Sequence, residues 1–459
     1  MSGTSGPPLV ALAAFSVAQR DRDLPDEVRH AALRAVMDWT AATLVGAREP
    51  AAQRLTEALM SQGPTGPSVL FTRPMRVDAR TAALVNGTAA HAAEVDDIYR
   101  DGIYHPGAPT IAAALALAEQ QGSSGDDLLR AVTVGYEVGC RIARAVSPEH
   151  YRFWHTTGTV GAIGAAAAAA EVLRLDIDRF AHALATATTM ASGLQQAFRS
   201  DSMSKPLHSG RAAEAGVLAA LAAANGITGA ADVLDGPAGF AAATAGRPLG
   251  PELLTGLGDP WCVTQVTVKN HFCCGHTFAA IDAALELRGT GLRAEDVVAV
   301  EIETYTDATQ VAGILVPRSA FQAKFSLPYC VATGLKQGSV RSRAFSEQAL
   351  DDPEVRRLLD STVLRTDTEM DASYPRQRRA RVRFTDASGA THTAEQWTRK
   401  GDPDDPLTDA ELEQKFSELV DPLLGEMRSA ELIRELRGLP GTNDVRTLRW
   451  GTTDSKERV

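Results

Sequence analysis

Aromatic residues make up only 5% of this 459-residue chain. With so few large rings to fill space, its elements must approach one another through small side chains. No apolar stretch reaches about 18 residues without charged or polar interruption, which excludes a membrane-spanning helix. The first residues lack a basic region followed by an apolar core and a cleavage site, so export is not expected. Basic residues are outnumbered 46 to 57, for a formal charge of −11, and no run of five or six occurs. That balance argues against a nucleic-acid partner. The nearest approach, Arg376 to Arg383, alternates apolar and basic residues towards its end and reads as an exposed strand. Cysteines are few and odd in number, at 140, 262, 273, 274 and 330. They form no disulfide framework and no zinc spacing, which points to a reduced, cytoplasmic protein. A phosphate loop, a dinucleotide glycine fingerprint and a serine-centred nucleophile elbow are missing too. The chemistry then has to run on acid–base groups without a nucleotide cofactor.

Alanine is abundant. Runs such as Ala165–Ala170 and Ala219–Ala224 favour helix because Ala loses no side-chain entropy there. Apolar stripes at helical spacing recur from Pro25 to Ala245, with Asp26 read as a helix cap and Thr156 or Thr157 as another. From Trp261 the pattern changes. Val266–Val268, Val297–Tyr305, Arg379–Asp386 and Thr391–Thr398 read as strands, with helices at 274–288 and 326–337 between them. Asp386-Ala-Ser-Gly supplies turn chemistry for a hairpin. The fold class is therefore mainly α, with a large all-helical domain and a smaller α/β domain. The expected boundaries are 1–264 helical, 265–398 α/β and 399–459 returning to helix, with the last ten or so residues disordered.

Five segments carry candidate chemistry. Lys205, His208 and Arg211 fall within seven residues of an Ala-rich stretch, where Pro206 suits a first helical turn. A helix N-terminus and cationic side chains together favour a small carboxylate. His91-Ala-Ala-Glu-Val-Asp-Asp97 places Glu94, Asp96 and Asp97 at the end of a helix, with Glu94 and Asp97 expected on one face. Carboxylates are unfavourable there, although a solvated acidic turn would account for the same residues. His105-Pro-Gly opens a helix from a loop, and His155 precedes Thr156, Thr157 and Thr159 before another; either histidine can carry a proton at neutral pH. Lys269 through Asp282 holds His271, Cys273, Cys274 and His276, too tightly spaced for a zinc site. Tyr329 can donate a proton or sit as a buried, hydrogen-bonded core residue.

Taken in order, these segments resemble the MmgE/PrpD family, which includes 2-methylcitrate dehydratase, cis-aconitate decarboxylase and iminodisuccinate epimerase. The carriers are Asn86–Asp97, His105-Pro-Gly, Trp154–Thr159, Met203–Ala213, Lys269–Asp282, Phe325–Tyr329 and Lys400–Pro406. The resemblance implies a helical domain with an inserted α/β lid, a homodimer and a metal-free site in the cleft between domains. It places site residues at Glu94, His105, His155, Lys205, His208 and Tyr329, with the loop around His276 facing them. The family usually has Asp at 94 and Thr at 98, and often His at 278; here these are Glu94, Ile98 and Phe278. Losing a hydroxyl and an imidazole shifts substrate choice away from 2-methylcitrate.

The resulting expectation is a cofactor-independent lyase for a small di- or tricarboxylate, with no metal, no nucleic-acid partner and no membrane. Lys205, His208, Arg199, Lys269 and His276 would bind the substrate, while His105 or His155 moves the proton. Glu94 or Asp96 would orient that histidine, Tyr329 would protonate the product carbon or leaving group, and Arg211 would brace the helix. An epimerase of a small carboxylate and a non-catalytic carboxylate binder are the alternatives.

Overall fold

A computed structural model describes residues 6–198 and 202–450. Arg199, expected to hold a carboxylate, and the expected disordered tail beyond Trp450 lie outside the described residues. The protein is mainly α, with a smaller α/β portion. The chain forms two compact units: the residues up to Val266 together with those from Asp409 onward, and Thr267–Thr408. The smaller unit extends to Thr408 rather than ending at 398. Arg399 and Asp402 bond into it, Arg399 donating to the Gly275 carbonyl at 3.0 Å and pairing with Asp402.

The helical unit is built around α1 (Asp26–Gly46), α2 (Ala79–Ala92), α3 (Gly107–Gln121), α4 (Gly125–Val146), α5 (Thr156–Val172) and α6 (Ser204–Ala224). All seventeen residues of α5 are buried, so it is the central helix, and its alanines let neighbours close on every side. The approach of α2 to α6 is tighter still. A Cβ on Gly210 would stand 2.1 Å from both the Leu84 carbonyl oxygen and the Thr88 hydroxyl. Helix starts are not all where local sequence places them. Pro25 occupies the N-cap of α1 and Asp26 is its first residue. His155, not a threonine, is the N-cap of α5. The unit is not wholly helical: β1 (Ser68–Leu70) and β2 (Met75–Val77) form a short antiparallel pair.

The smaller unit holds a four-stranded sheet of β3 (Val297–Thr304), β4 (Thr362–Thr366), β5 (Ala380–Asp386) and β6 (Thr391–Gln396), ordered β4-β3-β5-β6. β3 and β4 are parallel and the other pairs antiparallel. Val266–Val268, expected as a strand, is not one; the chain there leaves a 3-10 turn at Cys262–Gln265. The Arg376–Arg383 run is strand only from Ala380 onward, and that strand is not exposed as expected. Arg378 and Arg379 are buried, and Arg381 pairs with Glu303 and Glu395 at 2.8 Å, while Arg383 pairs with Glu301. Strand pairing aligns these side chains across one sheet face, where opposite charges support each other.

Candidate active site

His91, the second-last residue of α2, begins the site. Its Nδ1 lies 2.6 Å from Asp96 Oδ2, and His105 Nδ1 lies 3.2 Å from the same oxygen. One carboxylate oxygen therefore bridges two imidazoles, whose ring centroids are 4.8 Å apart. The His91 ring stacks on His155 at 5.4 Å, and His155 Nδ1 meets His208 Nδ1 at 3.1 Å. Lys205, the second residue of α6, forms an ion pair with Glu94. Four imidazoles, two carboxylates and one ammonium thus gather at the ends of α2, α5 and α6.

Local backbone explains how they meet. α2 stops at Ala92, and Glu94 turns the chain with φ +62°, a left-handed conformation rare outside glycine. Glu94 and Asp97 consequently do not share a helix face, contrary to the sequence expectation. Nor is the turn solvated: Glu94, Asp96 and Asp97 are all buried. Asp97 serves a different purpose from Asp96. It accepts from Gly107 N–H at the start of α3 and from the Tyr136 hydroxyl at 2.7 Å. Burial raises its carboxyl to about 7 despite those donors, with Asp38 and Asp96 adding to the rise. His105 N–H donates to the Thr157 hydroxyl, tying the His105 loop to the first turn of α5. His155 N–H donates to the Gly193 carbonyl, and a Cβ on Gly158 would come within 3.0 Å of His208 Cβ. The two histidines meet because this crossing has no side chains to separate it.

The electrostatics fix proton states. His155 is held well below the usual histidine range by burial first, then by His91, Lys205 and His208. His208 falls to about 4 through burial first, then His91 and Lys205. Both rings are neutral at neutral pH. A contact between two Nδ1 atoms then requires one to donate and the other to accept. The donor ring is left with an accepting Nε2 and the acceptor ring with a donating one, so the pair presents one basic nitrogen and one hydrogen-bond donor.

His91, Asp96 and His105 also place a nitrogen, an oxygen and a nitrogen within 4.8 Å of one another, a spacing compatible with a metal ion. The 2.6 Å His91–Asp96 contact accounts for that arrangement by hydrogen bonding alone. Of the anticipated residues in the helical unit, Glu94, Asp96, His105, His155, Lys205 and His208 come together. Arg211 pairs with Glu214 and braces α6. His91 was not anticipated. Its signal is a histidine in the last turn of a helix followed five residues later by a carboxylate across a tight turn.

The remaining candidates lie in the smaller unit, each with its own partners. Tyr329 is fully buried and its hydroxyl donates to the Ala344 carbonyl at 2.5 Å, so the core role fits it; burial pushes it up to about 12. Lys269 is 1% exposed. His271 Nε2 lies 2.8 Å from Asp282, Cys273 contacts the Thr277 hydroxyl and His276 Nδ1 contacts the Tyr305 hydroxyl at 2.7 Å. These groups point at different partners rather than at a common centre. Phe278 packs edge-on against His271 and beneath Arg399.

Comparison with known families agrees with the motif order. The MmgE/PrpD N-terminal domain model matches residues 10–250 and the C-terminal domain model residues 271–437. The chain belongs to the MmgE/PrpD family. Among its relatives, the cis-aconitate decarboxylase of Aspergillus terreus is 27% identical over 453 residues, covering 93% of this chain and 92% of that protein. The cis-aconitate decarboxylase of Homo sapiens is 29% identical over 401 residues, covering 83% and 81%. That of Mus musculus is 28% identical over 440 residues, covering 93% and 89%. Among the described residues, no helix is long and apolar enough to cross a membrane.

Proposed function

We propose that the protein is a lyase that removes carbon dioxide from a small unsaturated di- or tricarboxylate of the cis-aconitate kind, using no cofactor or metal. The observation that carries this reading is the single cluster in which Asp96 bridges His91 and His105 beside the His155–His208 pair, with Lys205 as its cation. The naming of its relatives favours decarboxylation over dehydration. Lys205 and the donating imidazole of the pair would hold carboxylates. As the carbon–carboxylate bond breaks, its electron pair passes into the conjugated system, and the carbon that receives it takes a proton from His105. Asp96 stabilises the imidazolium form of His105 while that proton is available. Glu94 in place of the family's usual Asp reaches Lys205 directly, and Ile98 and Phe278 remove two polar contacts, which favours a substrate other than 2-methylcitrate. The family resemblance adds a homodimer acting on a free small molecule.

The test is carbon dioxide release from cis-aconitate by chelator-treated protein, with citrate and 2-methylcitrate as comparison substrates. Turnover of cis-aconitate that survives the chelator supports the reading; no release, or activity restored only by added metal, overturns it. The basic nitrogen of the His155–His208 pair could also take a proton from one carbon and return it, so an epimerase is the second reading. Incorporation of deuterium from heavy water into recovered substrate, without loss of carbon dioxide, would establish it instead.

A further inference from the structure

Three arginines are buried in the smaller unit, and two of them are neutralised. Arg379 pairs with Glu395 and lies over the Trp397 ring, while Arg399 pairs with Asp402 and donates to the Gly275 carbonyl. Arg378 differs. It is 6% exposed, yet among the described residues its side chain has no ion pair and no hydrogen bond. The two sealed atoms without partners are Nε and Nη2. These form one edge of the guanidinium, the fork that meets both oxygens of a carboxylate through parallel N–H bonds. Arginine cannot escape the cost of a buried charge by releasing its proton. A lone guanidinium out of water is therefore an arrangement that calls for an anion.

The surroundings fit one. Arg378 Cζ lies 5.8 Å from the Tyr374 ring centroid, and Tyr374 stacks on Tyr305 at 4.5 Å with planes 17° apart. Tyr305 holds His276, which burial first, then Arg378 and Arg399, keeps well below the usual histidine range. Nearby groups are thus mostly aromatic, neutral or positive; the one carboxylate whose charge reaches Arg378, that of Asp402, makes its ion pair with Arg399 instead. Tyr374, His276 and Cys274 are each only partly buried, so the charge lies close beneath the surface.

We propose that the Nε–Nη2 edge of Arg378 is a carboxylate-binding site, flanked by Tyr374, Tyr305 and His276. It would take one carboxylate of a small organic acid, and it stands whether or not the chain decarboxylates cis-aconitate. The test uses tricarballylate, a tricarboxylate without the double bond the proposed lyase reaction uses, titrated calorimetrically into the full chain. R378Q should weaken binding at least tenfold, and R378K, which keeps the charge but loses the fork, should fall between R378Q and wild type. Tricarballylate should also raise the melting temperature of wild type more than that of R378Q. No binding to wild type, affinity in folded R378Q within twofold of wild type, or a change in oligomeric state as the only effect of R378Q would each overturn the proposal. Should neither variant fold, wild-type crystals grown in tricarballylate decide: carboxylate oxygens on Nε and Nη2 support the site, and water or a protein carboxylate there refutes it.

Discussion

Lys205 reaches the acid–base cluster with its charge already matched by Glu94, both side chains nearly buried. A substrate carboxylate must share that ammonium rather than find it vacant, so the worth of Lys205 lies in holding a charge ready in a dry site. K205A should lower kcat/KM for the accepted substrate about 10²–10³-fold, the loss seen when one preorganised donor is removed. Glu94 would then be buried without its cation, and the fold should weaken as well. The double variant K205A/E94A separates the effects: stability should recover while activity stays low, which thermal melts and kinetics on the same preparations would show. Asp97 leads to a pH prediction. Its carboxyl, raised to about 7 by burial, binds a proton in the folded chain that the unfolded chain releases until well below that, so it adds stability as pH falls from 7 towards 4. His208 and His150, both held at about 4 chiefly by burial, act in the opposite direction, losing stability as pH falls from about 6.5 to 4. D97N removes the compensating group. Urea midpoints at pH 7 and pH 5 should therefore fall further apart in D97N than in wild type.

At the scale of elements, what could be read from the residues follows how local the determining forces are. The buried helices were legible because Ala-rich periodicity needs no distant partner, and the Ala380–Asp386 and Thr391–Gln396 hairpin because turn chemistry and alternation agree. Thr362–Thr366 was missed, being a short edge strand whose only neighbour is β3 in parallel, a pairing set far away in sequence. The acidic turn was misread as helical because a glutamate at φ +62° has no sequence signature; its position is imposed from outside. So too with His91 and Arg378, whose meaning depends on which partners the fold supplies or withholds. The α2–α6 contact offers a test of that imposed geometry. G210A would drive a methyl group into the Leu84 carbonyl and the Thr88 hydroxyl, both backed by buried helix. Overpacking of this kind costs about 1–3 kcal/mol and more against backbone. It should also shift α6 and with it Lys205 and His208, so chemical denaturation and kcat should fall together.

The whole molecule depends on a return of the chain. After the smaller unit, the helices Asp409–Leu424 and Glu426–Arg437 rejoin the helical unit and bury Leu412, Phe416, Leu419, Val420, Leu432 and Leu436. Lys415 goes in with them. Its ammonium lies 2.6 Å from Asp38 on α1 and 2.9 Å from the Val95 carbonyl, inside the turn that presents Glu94 and Asp96. A residue encoded more than 300 positions downstream thereby clamps the site turn. K415M would leave Asp38 without a partner, at about 3–5 kcal/mol for a broken buried pair. The lower end is expected, because burial already raises the Asp38 pKa and a proton can replace the lost cation. Removing the return altogether is a different matter. Six large apolar side chains contribute about 1.5–3 kcal/mol each, as much as the roughly 5–15 kcal/mol that keeps a domain folded. A chain ending at Thr408 should therefore lose its helical unit, while the smaller unit, whose strands and helices all precede that point, keeps its own core. Limited proteolysis should leave a resistant fragment spanning about 267–408 in the truncated protein. If the truncated chain instead shows full-length helicity by circular dichroism and a protected N-terminal portion, the return helices are an accessory and Lys415 does not hold the site turn.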